Sequence, residues 1–195
     1  SKAMKGSVNY LGSIYSIGLA YERVDPNYST LGAYYINNDF ENIAVTFTNQ
    51  LLKGKVNIAG NIGMQRNNLD RKKVSSSRNL LNSINISFVP NEKMNFSTSY
   101  TNQAFYTFIR NPFESVNNIS PYQNLDTLNF TQISQSAMLN GNFILGSVSD
   151  KEMSRSLNFN LSYQQSNNRQ AGNSTLDNSS NYQGSVMYTH SFNPI

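Results

Sequence analysis

Apolar and polar residues alternate one by one along nearly the whole chain, and this two-residue period limits its fold more than any other feature. The stretch KVNIAGNIGMQR, residues 55–66, shows apolar side chains on one parity and mostly amides on the other. A period of two places the two sets on opposite faces of a β-strand, whereas a helix would need a period near 3.6. The chain is therefore predicted to be all-β.

The alternation recurs in nine stretches, and no convincing helical pattern separates them. Predicted strands cover about residues 4–10, 14–24, 40–52, 55–66, 80–89, 94–104, 130–145, 155–165 and 182–192. Tight turns are predicted at 11–13, 53–55, 90–93 and 146–153, and long loops at about 25–39, 67–79, 105–128 and 166–181. Compact soluble domains seldom carry four such loops, whereas outer-membrane β-barrels combine short periplasmic turns with longer external loops.

A membrane barrel explains why one strand needs two different faces. In a bilayer every backbone N–H and C=O must be paired internally, so a closed antiparallel barrel is the β-structure that can cross it, with apolar side chains turned to lipid. The residues expected to face lipid are Ile43, Val45, Phe47, Val56, Ile58, Ile62, Leu157, Phe159, Leu161 and Tyr163. The residues expected to line a wet lumen are Asn57, Asn61, Gln65, Asn95, Ser97, Ser99, Asn158, Asn160, Ser162 and Gln164.

Composition and aromatic placement favour this reading over a soluble β-sandwich, which also alternates and stays the alternative fold. Only 13% of the residues are charged, so uncharged side chains carry most of the polarity. Outward aromatic residues fall near both strand ends, as interfacial girdles do. Those near the short turns are Phe88, Phe96, Phe143, Phe159, Phe192, Tyr10 and Tyr15, and those near the long loops are Tyr21, Tyr100, Tyr163 and Tyr182.

The stretches YERVDPNYSTLGAYYINND (21–39) and NLDTLNFTQISQSA (124–137), together with the Asn- and Ser-rich strands, resemble outer-membrane β-barrel proteins of the Bacteroidota. This resemblance implies a location in the bacterial outer membrane. Asp126-Thr127-Leu128 is similar to a short O-glycosylation pattern of secreted Bacteroidota proteins, which makes Thr127 a candidate acceptor under this resemblance. Bacterial single-chain barrels usually have an even number of strands, so residues 1–195 are expected to be one barrel domain or part of a larger barrel.

Few residues offer chemistry. The sequence has no Cys, and its net charge of +4 is too scattered to indicate nucleic-acid binding. The single histidine, His190, lies on the apolar parity, and Asp25, Asp39 and Asp70 lack the spacing of a calcium site. We therefore expect no enzymatic activity, catalytic residue, metal or cofactor.

Two loops could contact partners. The basic loop DRKKVSSSR (70–78) is expected to be solvated, with contact to anionic lipopolysaccharide or a partner as the alternative. The loop 105–128 concentrates side chains that dominate recognition surfaces when they are exposed. The favoured alternative is that they fold inward as a plug or pack against neighbouring loops. The candidate partner or ligand residues of this loop are Phe105, Tyr106, Phe108, Arg110, Phe113 and Tyr122.

Three functions agree with this sequence. The first is a pore or import/export channel whose uncharged polar lumen passes or seats a solute or polypeptide. The second is a non-conducting structural barrel whose loops dock other envelope proteins. The third is a soluble secreted β-domain that acts as an adhesin or glycan binder. The expected partners are membrane lipid, lipopolysaccharide and other envelope proteins, without nucleic acid.

Overall fold

Nine β-strands form a single antiparallel sheet in the computed structural model, which describes residues 1–29, 37–109, 129–146, 153–170 and 173–192. Each strand pairs with its sequence neighbours, so the sheet is an up-and-down meander in the order β1 to β9. The predicted all-β, up-and-down antiparallel fold is confirmed. The strands are β1 Ala3–Leu11, β2 Tyr15–Val24, β3 Phe40–Leu51, β4 Val56–Asn67, β5 Ser75–Asn91, β6 Met94–Ile109, β7 Phe130–Leu145, β8 Met153–Gln170 and β9 Asn173–Phe192.

The sheet is open. β1 and β9 form its two edges, and no pairing joins them among the described residues. Because strand direction reverses at every step, β1 and β9 run in the same direction. The closed barrel of the prediction is therefore not present in these nine strands alone.

The strands extend further at one end than the sequence pattern indicated. The turns after β1, β3, β5 and β7 lie at one end, here called the turn end, and the other connections lie at the loop end. The predicted loop 166–181 is wrong, because residues 166–170 and 173–181 continue β8 and β9. The predicted loops 67–79 and 105–128 are also too long, since β5 already begins at Ser75 and β6 continues to Ile109.

These errors have a common physical cause. Alternation reveals a strand only while one of its faces is apolar, whereas pairing of the backbone continues wherever two strands stay side by side. The segment QQSNN (164–168) is polar on both faces, yet it pairs with β9 up to a bulge near Asn168. β8 thereby reaches 18 residues, more than the about 10 that a strand would need to cross a bilayer.

Local backbone chemistry explains the tight turns. The turn between β3 and β4 is a short 3-10 helix, Leu52–Gly54, and Gly54 has a φ of 86° that suits glycine. The β5–β6 hairpin follows a bulge between Phe88 and Asn91, which accommodates Pro90 in an interior strand. Within the described residues, none of the helical structure is long and apolar enough to span a membrane.

Candidate functional site

The two faces of the sheet form the candidate site, because strand register keeps the two parities apart. Directly paired residues in antiparallel strands point to the same side. The pairings across all eight strand interfaces place every residue of the predicted lumen set on one face of the sheet. They place every residue of the predicted lipid set on the other face. We call these the polar face and the apolar face.

Amides and hydroxyls bond to one another across the strands of the polar face. Asn142 Nδ2 donates to Asn158 Oδ1, and Asn160 Nδ2 donates to Asn140 Oδ1 on the next pair along. These residues line a depression of about 420 Å³ that also includes Asn95, Ser97 and Ser185. The surface can exchange hydrogen bonds with a polar solute without presenting a charge.

The apolar face is packed by aromatic rings, which glycines accommodate. Four phenylalanines form a chain of contacts near the turn end of β5 to β8, with ring centroids 5.3 to 6.2 Å apart. The ring of Phe159 lies over Gly141 and that of Phe47 over Gly60, where a Cβ atom would collide with the ring. At the loop end, Tyr163 and Tyr182 pack 4.8 Å apart. Packed rings thus cover much of the apolar face near the turn end of β5 to β8 and at the loop end of β8 and β9.

The apolar face forms an inclined band. One row of directly paired residues runs from Tyr10 in β1 through Ile84 in β5 to Tyr182 in β9. Among the residues whose side chains the structure describes, Tyr10 is the apolar-face residue nearest the turn end of β1, and Tyr182 is the apolar residue nearest the loop end of β9. The band thus shifts by about one residue per strand. With ~3.3 Å per residue and ~4.8 Å between strands, the strands tilt by about 30 to 35° from the normal to the band.

Amides interrupt the apolar face at several positions that the sequence reading missed, among them Asn49 in β3 and a row of three across β5 to β7. Asn82, Asn102 and Gln135 are neighbours in one row across β5, β6 and β7. Asn102 Oδ1 is buried and accepts no hydrogen bond. The signal was present in the sequence, because each of these three amides stands between two apolar residues of the same parity in its strand.

A row of charged residues, here called the charged row, borders the apolar face at the loop end. The residues of this row are directly paired across β2 to β5: Arg23, Glu41, Arg66 and Arg78. In each strand the charged residue lies on the apolar face, two residues nearer the loop end than the outermost apolar residue of that face. The register places Glu41 on the apolar face. Its carboxylate is 6% exposed and is held by Tyr21 Oη at 2.7 Å and Arg66 Nε at 2.5 Å.

Hydrogen bonds anchor the β2 end of the charged row. Arg23 Nε donates to Asp25 Oδ1 at 2.9 Å, and the backbone N–H of Lys2 donates to Asp25 Oδ2 at 3.0 Å. The Arg23 guanidinium, helped by the Lys2 N–H, holds the pKa of the Asp25 carboxyl below its usual value. The carboxylate thereby ties the start of β1 to the end of β2.

The basic loop between β4 and β5 is anchored to the sheet by two buried polar side chains. Asp39 is fully buried; its Oδ1 accepts the Leu69 N–H at 2.7 Å and its Oδ2 lies 2.5 Å from Lys73 Nζ. The Asn68 side chain bonds the backbone N–H and C=O of Lys73, at 3.0 and 2.9 Å. The loop is therefore ordered, while Arg71 and Lys73 remain exposed on its outer side.

The described part of the predicted partner loop belongs to β6, and its three candidate residues lie on two different faces. Phe105, Tyr106 and Phe108 belong to β6, where Phe105 points to the polar face and the other two point to the opposite side. Arg110, Phe113, Tyr122 and Thr127 lie outside the described residues. His190 lies on the apolar face, with its ring 6.4 Å from that of Tyr188.

Neither a metal centre nor a known relative identifies the site. Among the residues that the structure describes, no group of three or more His, Cys, Asp or Glu side chains could hold a metal ion. No protein-family model, curated protein or solved structure matches the chain. The function must therefore be argued from the two faces and their borders.

Proposed function

We propose that this chain is a transmembrane β-barrel of the outer membrane that acts as a pore or import/export channel. The observation that carries the proposal is the inclined apolar band on a sheet that keeps the predicted lipid-facing and lumen-lining sets on opposite faces. The strands of a membrane barrel are tilted by about 35 to 45° from the barrel axis. Because the lipid layer is flat, it contacts tilted strands along a band that is inclined to the rows of directly paired residues. The measured shift of about one residue per strand approaches that range.

The polar face supports a channel role. In the barrel it lines the lumen, where asparagine and serine side chains offer hydrogen bonds to water and to uncharged solutes. The cargo is therefore an uncharged polar solute or polypeptide segment. We propose no enzymatic step, cofactor or bound metal.

Closure requires further strands. Open strand edges leave backbone groups unpaired, which lipid does not tolerate. Since β1 and β9 run in the same direction, an all-antiparallel closure takes an odd number of additional strands between them. We propose that the nine strands form a contiguous part of a larger barrel.

A second candidate is a non-conducting barrel that docks another envelope protein. The observation that favours it is the amide row of Asn82, Asn102 and Gln135 on the apolar face, in which the buried Asn102 Oδ1 accepts no hydrogen bond from the described residues. A protein partner seated on this row would supply hydrogen-bond partners, because buried polar groups are normally hydrogen-bonded.

The test is purification of the protein in detergent, followed by electrophoresis with and without boiling and by circular dichroism. A heat-modifiable band with β-type dichroism supports the barrel, and single-channel conductance in planar bilayers then supports the pore. A heat-modifiable band without conductance selects the docking barrel. A chain that stays soluble without detergent and shows no heat shift contradicts both the pore and the docking barrel. That result favours the soluble β-sandwich, in which the apolar face is the core.

A further inference from the structure

The loop end of β4 and β5 carries a cavity of about 670 Å³ between the charged row and the basic loop. Five cationic side chains line it, and none of its described lining residues is acidic. Neutral donors such as Asn67, Ser76 and Ser77 complete the wall. The cationic residues are Arg23, Arg66, Arg71, Lys73 and Arg78.

The cations of this cavity are partly neutralised from behind. Glu41 binds Arg66 on the sheet surface, and Asp39 binds Lys73 from beneath the loop. Both carboxylates are buried, so they orient their cationic partners without entering the cavity. The Arg66 and Lys73 side chains stay 48% and 55% exposed, which leaves donors free to face a ligand.

Arg66 and Arg78 are directly opposite each other on β4 and β5. Like charges in directly opposite positions destabilise a sheet. Arg66 forms an ion pair with Glu41. Arg78 is exposed and forms no ion pair within the described residues. An anion bound between the two guanidinium groups would remove this repulsion. Arginine forks match the oxygen geometry of phosphate in particular.

We propose that this cavity binds a phosphate group, with Arg66 and Arg78 as its main ligands and Arg71 and Lys73 closing it from the loop. Its position indicates the source of the phosphate, because the cavity begins one residue step beyond the apolar face. In the proposed barrel that level coincides with the headgroups of the outer leaflet. The ligand is then the phosphate of a membrane glycolipid, and this assignment rests on the proposed function.

The experiment is isothermal titration calorimetry on the full chain with three probes. The probes are a bis-phosphorylated diglucosamine glycolipid, the same glycolipid after dephosphorylation, and inorganic phosphate. We expect the phosphorylated glycolipid to bind about tenfold tighter than the dephosphorylated one, since a charged hydrogen-bond pair contributes roughly this factor. Inorganic phosphate that binds as tightly as the glycolipid would support the phosphate site but assign it to free phosphate.

Two matched variants test the assignment to the charged row. Arg78→Gln should weaken binding of the phosphorylated glycolipid by about tenfold. Arg155→Gln, on the same face at the turn end, should leave it unchanged. Arg78→Lys, which keeps the charge but loses the fork, should give an intermediate affinity. Equal binding of the two glycolipids, or equal affinity of wild type and Arg78→Gln, would overturn the proposal.

The phosphate site and the barrel can fail separately. If the protein is soluble without detergent, the barrel proposal fails, but titration of wild type and Arg78→Gln with inorganic phosphate still reports on the site. If the protein forms a heat-modifiable barrel and no probe distinguishes Arg78→Gln from wild type, only the phosphate site fails. Dichroism of each variant establishes that it is folded.

Discussion

Replacing Asp39 by asparagine should destabilise the protein by about 2 kcal/mol, because this side chain anchors the basic loop from a fully buried position. The substitution keeps the shape of the side chain and tolerates the left-handed backbone at this residue, where φ is 63°. It changes the bond from the Leu69 N–H, 2.7 Å long, from charge-assisted to neutral, a loss of about 1 kcal/mol. Loss of the ion pair to the half-exposed Lys73 contributes about 1 kcal/mol more.

The control is the same substitution at Asp70 in the same loop. Asp70 pairs with Lys72 at 3.6 Å, and the Lys72 side chain is 83% exposed, so Asp70→Asn should change the free energy of unfolding by less than about 0.5 kcal/mol. Urea unfolding in detergent, followed by far-UV dichroism, measures both. With a denaturant slope of about 2 kcal/mol per molar, the Asp39→Asn midpoint should fall by about 1 M. Equal midpoints for the two variants would refute the buried anchor.

Three other perturbations test the faces and the edge. Gly141→Val should destabilise the sheet by about 1 to 3 kcal/mol in the same assay, because its side chain meets a phenylalanine ring, whereas Gly6→Val enters open space and should have little effect. The Asp25 carboxyl has a pKa below its ordinary 3.8, so its stabilising contribution holds at neutral pH and is lost as pH falls through the folded-state pKa; Asp25→Asn should remove this acid-dependent part of a urea-midpoint profile. Asn160→Lys should shift pore selectivity toward anions in reversal-potential measurements, while Leu161→Lys should reduce the heat-modifiable fraction, because a charge facing lipid costs about 2 to 4 kcal/mol.

The strands and their faces could be predicted because the apolar and polar parities differ so sharply. In β8, Leu157, Phe159 and Leu161 alternate with asparagine and serine, and the register confirms that each set shares a face. The loop-end extensions could not be predicted in this way. Gln165 and Asn167 are as polar as their neighbours, so nothing in the local pattern distinguishes a projecting hairpin from a loop.

The charged row was hidden by a different effect. The sequence pattern placed Arg78 in a basic loop, and within β3 nothing sets Glu41 apart as part of a row. Their alignment with Arg66 follows from pairings between strands, and these depend on turn lengths that local patterns leave open. The inclination of the apolar band is likewise a property of register across all nine strands.

The most direct test of the account asks which face of one strand touches lipid. The sequence has no cysteine, so Ile62→Cys and Asn61→Cys each create a single labelling site on adjacent residues of β4. Each variant is labelled with a small fluorophore, returned to lipid vesicles, and exposed to a nitroxide quencher held in the bilayer or to iodide in water. If the apolar face contacts lipid, the bilayer quencher acts on the probe at position 62 and not on that at 61. Equal quenching of the two probes, or the reverse order, would contradict it.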